Sequence, residues 1–474
     1  MSKNIVLCSD GTGQAGGQGF VSNVWRLFKA VDRHHPNKKQ VVFHADGVGT
    51  ENNRFLRAIG GGFGYGLSAD ICSLYSMLVK TYSESDDIFL FGFSRGAFTV
   101  RSLAGMIHHI GILDRQSFHS DQEISTAVQQ AYHAYRKNKP LSGVKTHDSK
   151  KIKFIGVWDT VDAIGVPVDE LREIVYLLAK TRFTRHKDEL NASIENAYHA
   201  LAIDDERKTF HPMLWQEDGF AGNVQQVWFA GVHSNVGGGY PKDSLSFISL
   251  DWMMKKAAEC GLEFCPSKWL DLTAPNKAFG DYQEQADRNG RIYDSRAGLG
   301  VYYRYSPRKI EKLWAAENPA KYPTIHESVL TRIKSGYTTY APTALPQTFN
   351  SMATWSPDLK QQSFNVDLGK AWQCIRMRIK LYYALIISTF LFLLTGMIMD
   401  SAKSPCNGHS VCLPIVDFFK DKLPSFMHGW LDYYATNPLI LSGFLAVFLI
   451  LFVAHFRLKK STERHANEAW HKVI

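Results

Sequence analysis

Short apolar runs alternate with amphipathic stretches along the first 240 residues. NIVLCSD, QVVFHADG, DDIFLFGFS, KIKFIGVWD and VQQVWFAGVHS are rich in β-branched and aromatic residues and stop at Gly, Asp or Ser. Each predicts a short strand. LSADICSLYSMLVKTY, from Leu67 to Tyr82, and FTVRSLAGMIHHI space their apolar residues as helices do. Strands that alternate with helices predict an α/β domain with a mainly parallel sheet. Residues 120–137 and 168–201 read as helix-rich insertions, the second through DELREIVYLLAK, and 241–370 as mixed and aromatic-rich. No internal repeat or low-complexity tract is present.

The pattern changes near residue 380. Leu381 to Met399 and Leu439 to Phe456 carry no Asp, Glu, Lys or Arg. At 1.5 Å per residue these runs reach roughly 27–29 Å, the thickness of a bilayer's hydrocarbon core. They predict a two-helix transmembrane hairpin with spans 381–399 and 439–456. Arg376, Arg378 and Lys380 precede the first run; Arg457, Lys459 and Lys460 follow the second. Basic flanks stay in the cytoplasm. The body and the tail are therefore expected on the cytoplasmic side of the membrane, with the 400–438 loop outside. Trp430, Tyr433 and Tyr434 look like interfacial anchors, and Gly396 with Ser388 is expected to pack on Gly443 with Ser442. The chain thus divides into a body, 1–370, and an anchor region, 371–474.

Composition narrows the class. Apolar residues make up 45% and charged residues 21%, which excludes a mainly disordered chain. A net charge of +9 suits an anionic membrane surface or an acidic substrate and by itself gives no ground for nucleic-acid binding. Of the seven cysteines, five are scattered without metal-ligand spacing, and no metal or organic cofactor is expected. Cys406 and Cys412 lie in the outer loop, where an oxidising compartment would let them pair. The N-terminus has no secretory signal pattern.

The chemistry concentrates at Gly92-Phe93-Ser94-Arg95-Gly96, which follows an apolar strand and opens a helical pattern. This is the setting of a nucleophile elbow: a serine on a tight turn, glycines two residues to either side, and a helix N-terminus behind it. The plain alternative is an ordinary strand-to-helix turn. A serine nucleophile needs a base and an orienting acid. Asp159, ending FIGVWD, and His233, before a run of glycines, are the candidates; Asp162 and Asp243 are the fallback acids. The backbone N–H of Arg95 would donate to an oxyanion. Ser9-Asp10-Gly11-Thr12-Gly13 also ends a strand and offers Gly11 or Thr12 as further donors. A D-x-D-G-T phosphatase reading fails because Cys8 stands where its nucleophile is required. GGGFGYG at 60–66 lacks the Lys-Ser/Thr of a P-loop.

Taken together, VLCSDGTGQ, HADGVGT, FGFSRGAFTVRSLAGMI, FIGVWDTVDAIG, HALAIDDERKTFHPMLW and VWFAGVHSNVGGGY resemble the DUF2235 group of α/β-hydrolases, which includes the Tle1-type phospholipase effectors of type VI secretion systems. The resemblance runs over roughly residues 3–240 and more faintly to about 345. It implies an α/β-hydrolase fold, a triad at Ser94, Asp159 and His233, and lipase or esterase activity on phospholipid. The two apolar runs lie outside the shared pattern and favour a resident membrane-anchored enzyme. The expectation is a membrane-embedded serine hydrolase acting on a lipid ester, with 168–201 and 241–345 forming a cap and acyl pocket. The rivals are a non-catalytic membrane scaffold and a partner-binding module that retain the fold.

Overall fold

The computed structural model describes residues 2–11, 20–45, 65–162, 190–265, 286–336, 339–353, 356–400, 420–422 and 428–474. The chain folds as two compact units, residues 1–366 and 367–472.

In the first unit nine strands form one sheet. They are β1 (Asn4–Ser9), β2 (Gln40–Ala45), β3 (Asp87–Phe93), β4 (Phe154–Trp158), β5 (Asn196–Ala202), β6 (Asn223–Phe229), β7 (Thr324–His326), β8 (Thr348–Ala353) and β9 (Ser356–Ser363). Their order is β2-β1-β3-β4-β5-β6-β7-β8-β9. Neighbours pair in parallel, except β8 with β9. The helices are α1 (Asn23–Ala30), α2 (Tyr65–Thr81), α3 (Arg95–Ile110), α4 (Asp121–Arg136), α5 (His233–Gly237), α6 (Ser246–Glu259), α7 (Ile310–Glu317) and α8 (Glu327–Ser335).

Side-chain alternation along the strands builds two cores. Ile5, Leu7, Ile88, Leu90, Ile155 and Val157 meet α2, α3 and α4 on one face. Val6, Cys8, Phe89, Phe91, Phe154 and Trp158 meet α1 and α6 on the other. Both faces of the central strands are thus covered, as a parallel sheet requires. The strand order reverses between β1 and β3, which places a crevice at the carboxyl ends of those two strands.

The five strands expected from the pattern are all present. Residues 196–201, expected within a helix-rich insertion, instead belong to β5 between β4 and β6. NAYHALA is alanine-rich and carries a histidine, so its strand propensity is low. It is held as a strand because both its edges are paired and its side chains are buried. The expected insertion 241–345 contributes α6 to the core and β7 to the sheet. DELREIVYLLAK and GGGFGYG lie largely or wholly outside the described residues, as do Cys406 and Cys412.

The second unit contains α9 (Gly369–Asp400), α10 (His428–Thr436) and α11 (Pro438–Trp470). The long helices α9 and α11 have stretches of mean hydropathy 1.7 and 2.6, long and apolar enough to cross a membrane. Phe390, Leu449, Ile450 and Phe452 on them are each more than half exposed. The packing differs from the expected small-residue contact. Gly396 lies under the Trp430 ring, while a side chain at Gly443 would meet nothing within 4 Å. Phe392 gathers the rings of Trp430, Tyr434 and Phe444 at 4.6–5.2 Å, and the Tyr434 hydroxyl donates to the Phe392 carbonyl at 2.6 Å. Trp430 and Tyr434, expected as interfacial anchors, therefore join helices to one another, because their flat rings fill space that small residues leave open.

Candidate active site

Ser94 stands between the last residue of β3 and the first of α3, with φ 58° and ψ −121°. A non-glycine residue in that region is strained and persists only where its surroundings enforce it. Here the enforcement is visible. A Cβ at Gly92 would lie 2.5 Å from the Gly96 carbonyl oxygen, and one at Gly96 would lie 2.2 Å from that of Ser9. Only glycine lets α3 rise this close to β1 and β3. The Ser94 N–H donates to the Trp158 carbonyl at 3.0 Å, and its hydroxyl makes no cap bond to its own helix.

Asp159 leaves β4 with φ 37° and is fully buried. Its Oδ2 lies 2.6 Å from Nδ1 of His233, itself buried at the start of α5. Asp159 Oδ1 accepts the Ala202 N–H at 3.0 Å. Arg308, also fully buried, closes the arrangement by donating to both carboxylate oxygens at 2.8 Å. It donates as well to the carbonyls of Ala202 and Phe210. Burial pushes the Asp159 pKa up, but the Arg308 charge and the His233 hydrogen bond outweigh it and hold the carboxyl well below the usual range. An ionised carboxylate only accepts, so Nδ1 of His233 carries a proton and Nε2 of the neutral ring is a bare acceptor. Nε2 is buried with no hydrogen-bond partner among the described residues. Burial lowers the His233 pKa, against the raising effect of Asp159.

The His233 ring is also gripped by aromatics. Phe93, next to the serine, packs on it at 4.6 Å and Phe210 meets it edge-on at 5.0 Å. Its backbone N–H donates to Asp205 Oδ2 at 3.2 Å, and Arg207 holds that carboxylate at 2.7 Å. Asp204 accepts the Gly231 N–H at 2.6 Å and so fixes the turn before the histidine.

Among the other expected site residues, Arg95 is the first residue of α3, where its backbone N–H has no place in the helical ladder. Gly11 lies against the serine: a Cβ there would be 3.4 Å from Ser94 Cβ. Its N–H already donates to Asp10 Oδ1 at 2.8 Å, and Asp10 Oδ2 lies 3.3 Å from His44 Nε2. Thr12 lies outside the described residues. Asp243 is committed to Arg26 at 2.8 Å and to the Gly239 N–H, so it is not the acid on His233. Asp162 is half-buried, and it is Asp159 that His233 meets. Among the described residues there is no group of three His, Cys, Asp or Glu suited to a metal.

A family model for the catalytic domain of Tle1-like type VI secretion phospholipase effectors matches residues 3–256. The chain belongs to this Tle1-like family. The matched segment contains Ser94, Asp159 and His233 but stops short of Arg308 and of the two long apolar helices. The uncharacterized protein YEL023C of Saccharomyces cerevisiae is 25% identical over 243 residues, 45% of this chain and 33% of that protein. A crystal structure of an uncharacterized protein from Pseudomonas aeruginosa is 19% identical and covers 81% of this chain and 59% of its own. Its TM-score is 0.36. The Tle1-like chain thus spans about a third of the curated relative and about three fifths of the solved one.

Proposed function

We propose that the protein is a membrane-anchored serine hydrolase of α/β-hydrolase fold that cleaves carboxylic esters of phospholipids. The observation that carries this reading is the Asp159–His233 pair at 2.6 Å, with Nε2 unpartnered among the described residues and the His233 ring packed at 4.6 Å on Phe93, the neighbour of the strained, uncapped Ser94. Family membership supports lipase or phospholipase chemistry. The reversal of strand order beside Ser94 is where open α/β sheets take ligands.

In this mechanism Ser94 Oγ attacks the ester carbonyl and His233 Nε2 takes its proton. Asp159 stabilises the imidazolium, and Arg308 keeps Asp159 charged and in place. The Arg95 N–H, at the positive end of α3, faces the developing oxyanion. Gly11 serves as a second donor once Asp10 releases its N–H. The imidazolium returns the proton to the leaving alcohol, and water, activated in the same way, frees the acyl group. Residues 381–399 and 439–456 are the proposed spans of an anchor region 371–474. The body 1–370 and the C-terminal tail would lie in the cytoplasm.

The test is a fluorophosphonate probe and an ester assay on the purified chain. Ser94→Ala and His233→Ala should each cost on the order of 10⁴-fold in kcat with probe labelling lost at Ser94. A wild type that neither turns over the ester nor takes the probe would favour the scaffold reading, and turnover that survives Ser94→Ala would rule out Ser94 as the nucleophile.

A further inference from the structure

Among the described residues, the arginines around the catalytic end are matched one by one. Arg207 and Arg308 hold the carboxylates of Asp205 and Asp159, and Arg26 holds Asp243. Arg101 and Arg296 donate to the carbonyls of Met213 and Val301. Arg95 differs. Its guanidinium forms no hydrogen bond or ion pair with any described residue, and the ionisable groups in its surroundings are Tyr303 and Asp70. It is nevertheless half-buried, and burial works against its charge.

Its place in the fold gives that unmatched charge a use. Arg95 follows the serine directly. Tyr303, which acts on the Arg95 charge electrostatically, packs on Phe210 at 5.7 Å, and Phe210 packs on His233 at 5.0 Å, so that ring belongs to the wall of the catalytic centre. A partly desolvated cation that has no partner among the described residues gains most from an anion supplied by a ligand.

We propose that the Arg95 side chain is an anion subsite, taking a phosphate carried next to the scissile ester. The planar guanidinium fork fits two phosphate oxygens at once, and the positive end of α3 reinforces the same charge. The phosphate is either the diester of a lipid headgroup or a free phosphate group. This inference rests on the serine-hydrolase reading and adds to it a selectivity: charged esters over neutral ones of the same acyl length.

The experiment uses the full purified chain and two soluble substrates below their micelle concentrations, dihexanoyl phosphatidylglycerol and 1,2-dihexanoylglycerol. The kcat/KM ratio of charged to neutral ester should fall roughly ten- to hundredfold in Arg95→Gln. Arg95→Lys, which keeps the charge but loses the fork, should retain part of the ratio. Inorganic phosphate should compete with the neutral ester in the wild type and not in Arg95→Gln if the free group is read. A lost ratio without phosphate inhibition assigns the site to the headgroup diester. An unchanged ratio, or equal loss on both esters in variants that melt like the wild type, would overturn the subsite. Turnover of both esters that survives Ser94→Ala would instead remove the Ser94 nucleophile on which the serine-hydrolase reading rests.

Discussion

At the scale of single residues, Asp159 carries an ionised carboxylate with no exposed surface. Two hydrogen-bond donors face it, the Arg308 guanidinium and the His233 ring, and the first makes a bidentate pair. Truncating one member of a buried pair leaves the other uncompensated and costs about 3–5 kcal/mol. Arg308→Met should therefore lose about that much stability at pH 7 in urea denaturation, along with activity. The pH dependence follows from the direction of the Asp159 shift. Its folded pKa lies below the ordinary carboxylate value, so its stabilising contribution is complete above about pH 4 and lost as pH falls toward the folded value. The gap between wild type and Arg308→Met should narrow from about pH 4 downward. A gap that stays constant to pH 2 would mean that Arg308 acts through packing alone. Nothing around SPRKI singles out Arg308, because its partner lies 149 residues away and pairs with it only once the sheet has formed.

At the scale of elements, the strand-to-helix turn at Ser94 depends on two glycines more than on the serine. A methyl group at Gly96 would lie 2.2 Å and 2.5 Å from two backbone oxygens of β1 and its exit. No rotamer change relieves a backbone contact, so Gly96→Ala should destabilise by more than about 3 kcal/mol and lower activity even in molecules that fold. In the helical hairpin the contrast is between two glycines of similar appearance. Gly396→Leu must displace Trp430, whereas Gly443→Leu projects into open space. Only the first should lower the melting temperature of the protein in detergent. If both variants melt alike, the contact of α9 with α10 does not stabilise the hairpin. The sequence treats these glycines as equals, since small residues in apolar helices all satisfy the same packing rule.

At the scale of the whole molecule, the membrane reading predicts sides. A cysteine placed within 400–438, with Cys406 and Cys412 replaced, should react with an impermeant thiol reagent on intact cells. One placed after Lys460 should react only once the membrane is opened. Labelling of both from outside, or of neither, would rule out a two-span hairpin. Basic residues at 376–380 and 457–460 resist translocation and so set these sides.

Local pattern was enough for much of this protein. Short apolar runs rich in β-branched and aromatic residues mark five strands, and such runs, apolar on both faces, call for a parallel sheet between helices. Gly-x-Ser-x-Gly at a strand exit marks the turn, since nothing but glycine fits beside it. Asp159 and His233 stand out at strand ends, and charge-free runs mark two long apolar helices. These features are short-range consequences of backbone sterics and hydrophobicity. What only the tertiary structure decided are the interactions between segments far apart in the chain. β5 is a strand because β4 and β6 pair with it, against its own propensity. Asp243 belongs to Arg26 and Asp159 to Arg308 because the fold brings those charges together where water cannot serve either. The Arg95 guanidinium has no partner among the described residues while Arg207 and Arg308 are matched, and a linear sequence does not show which charges the folded protein has already neutralised.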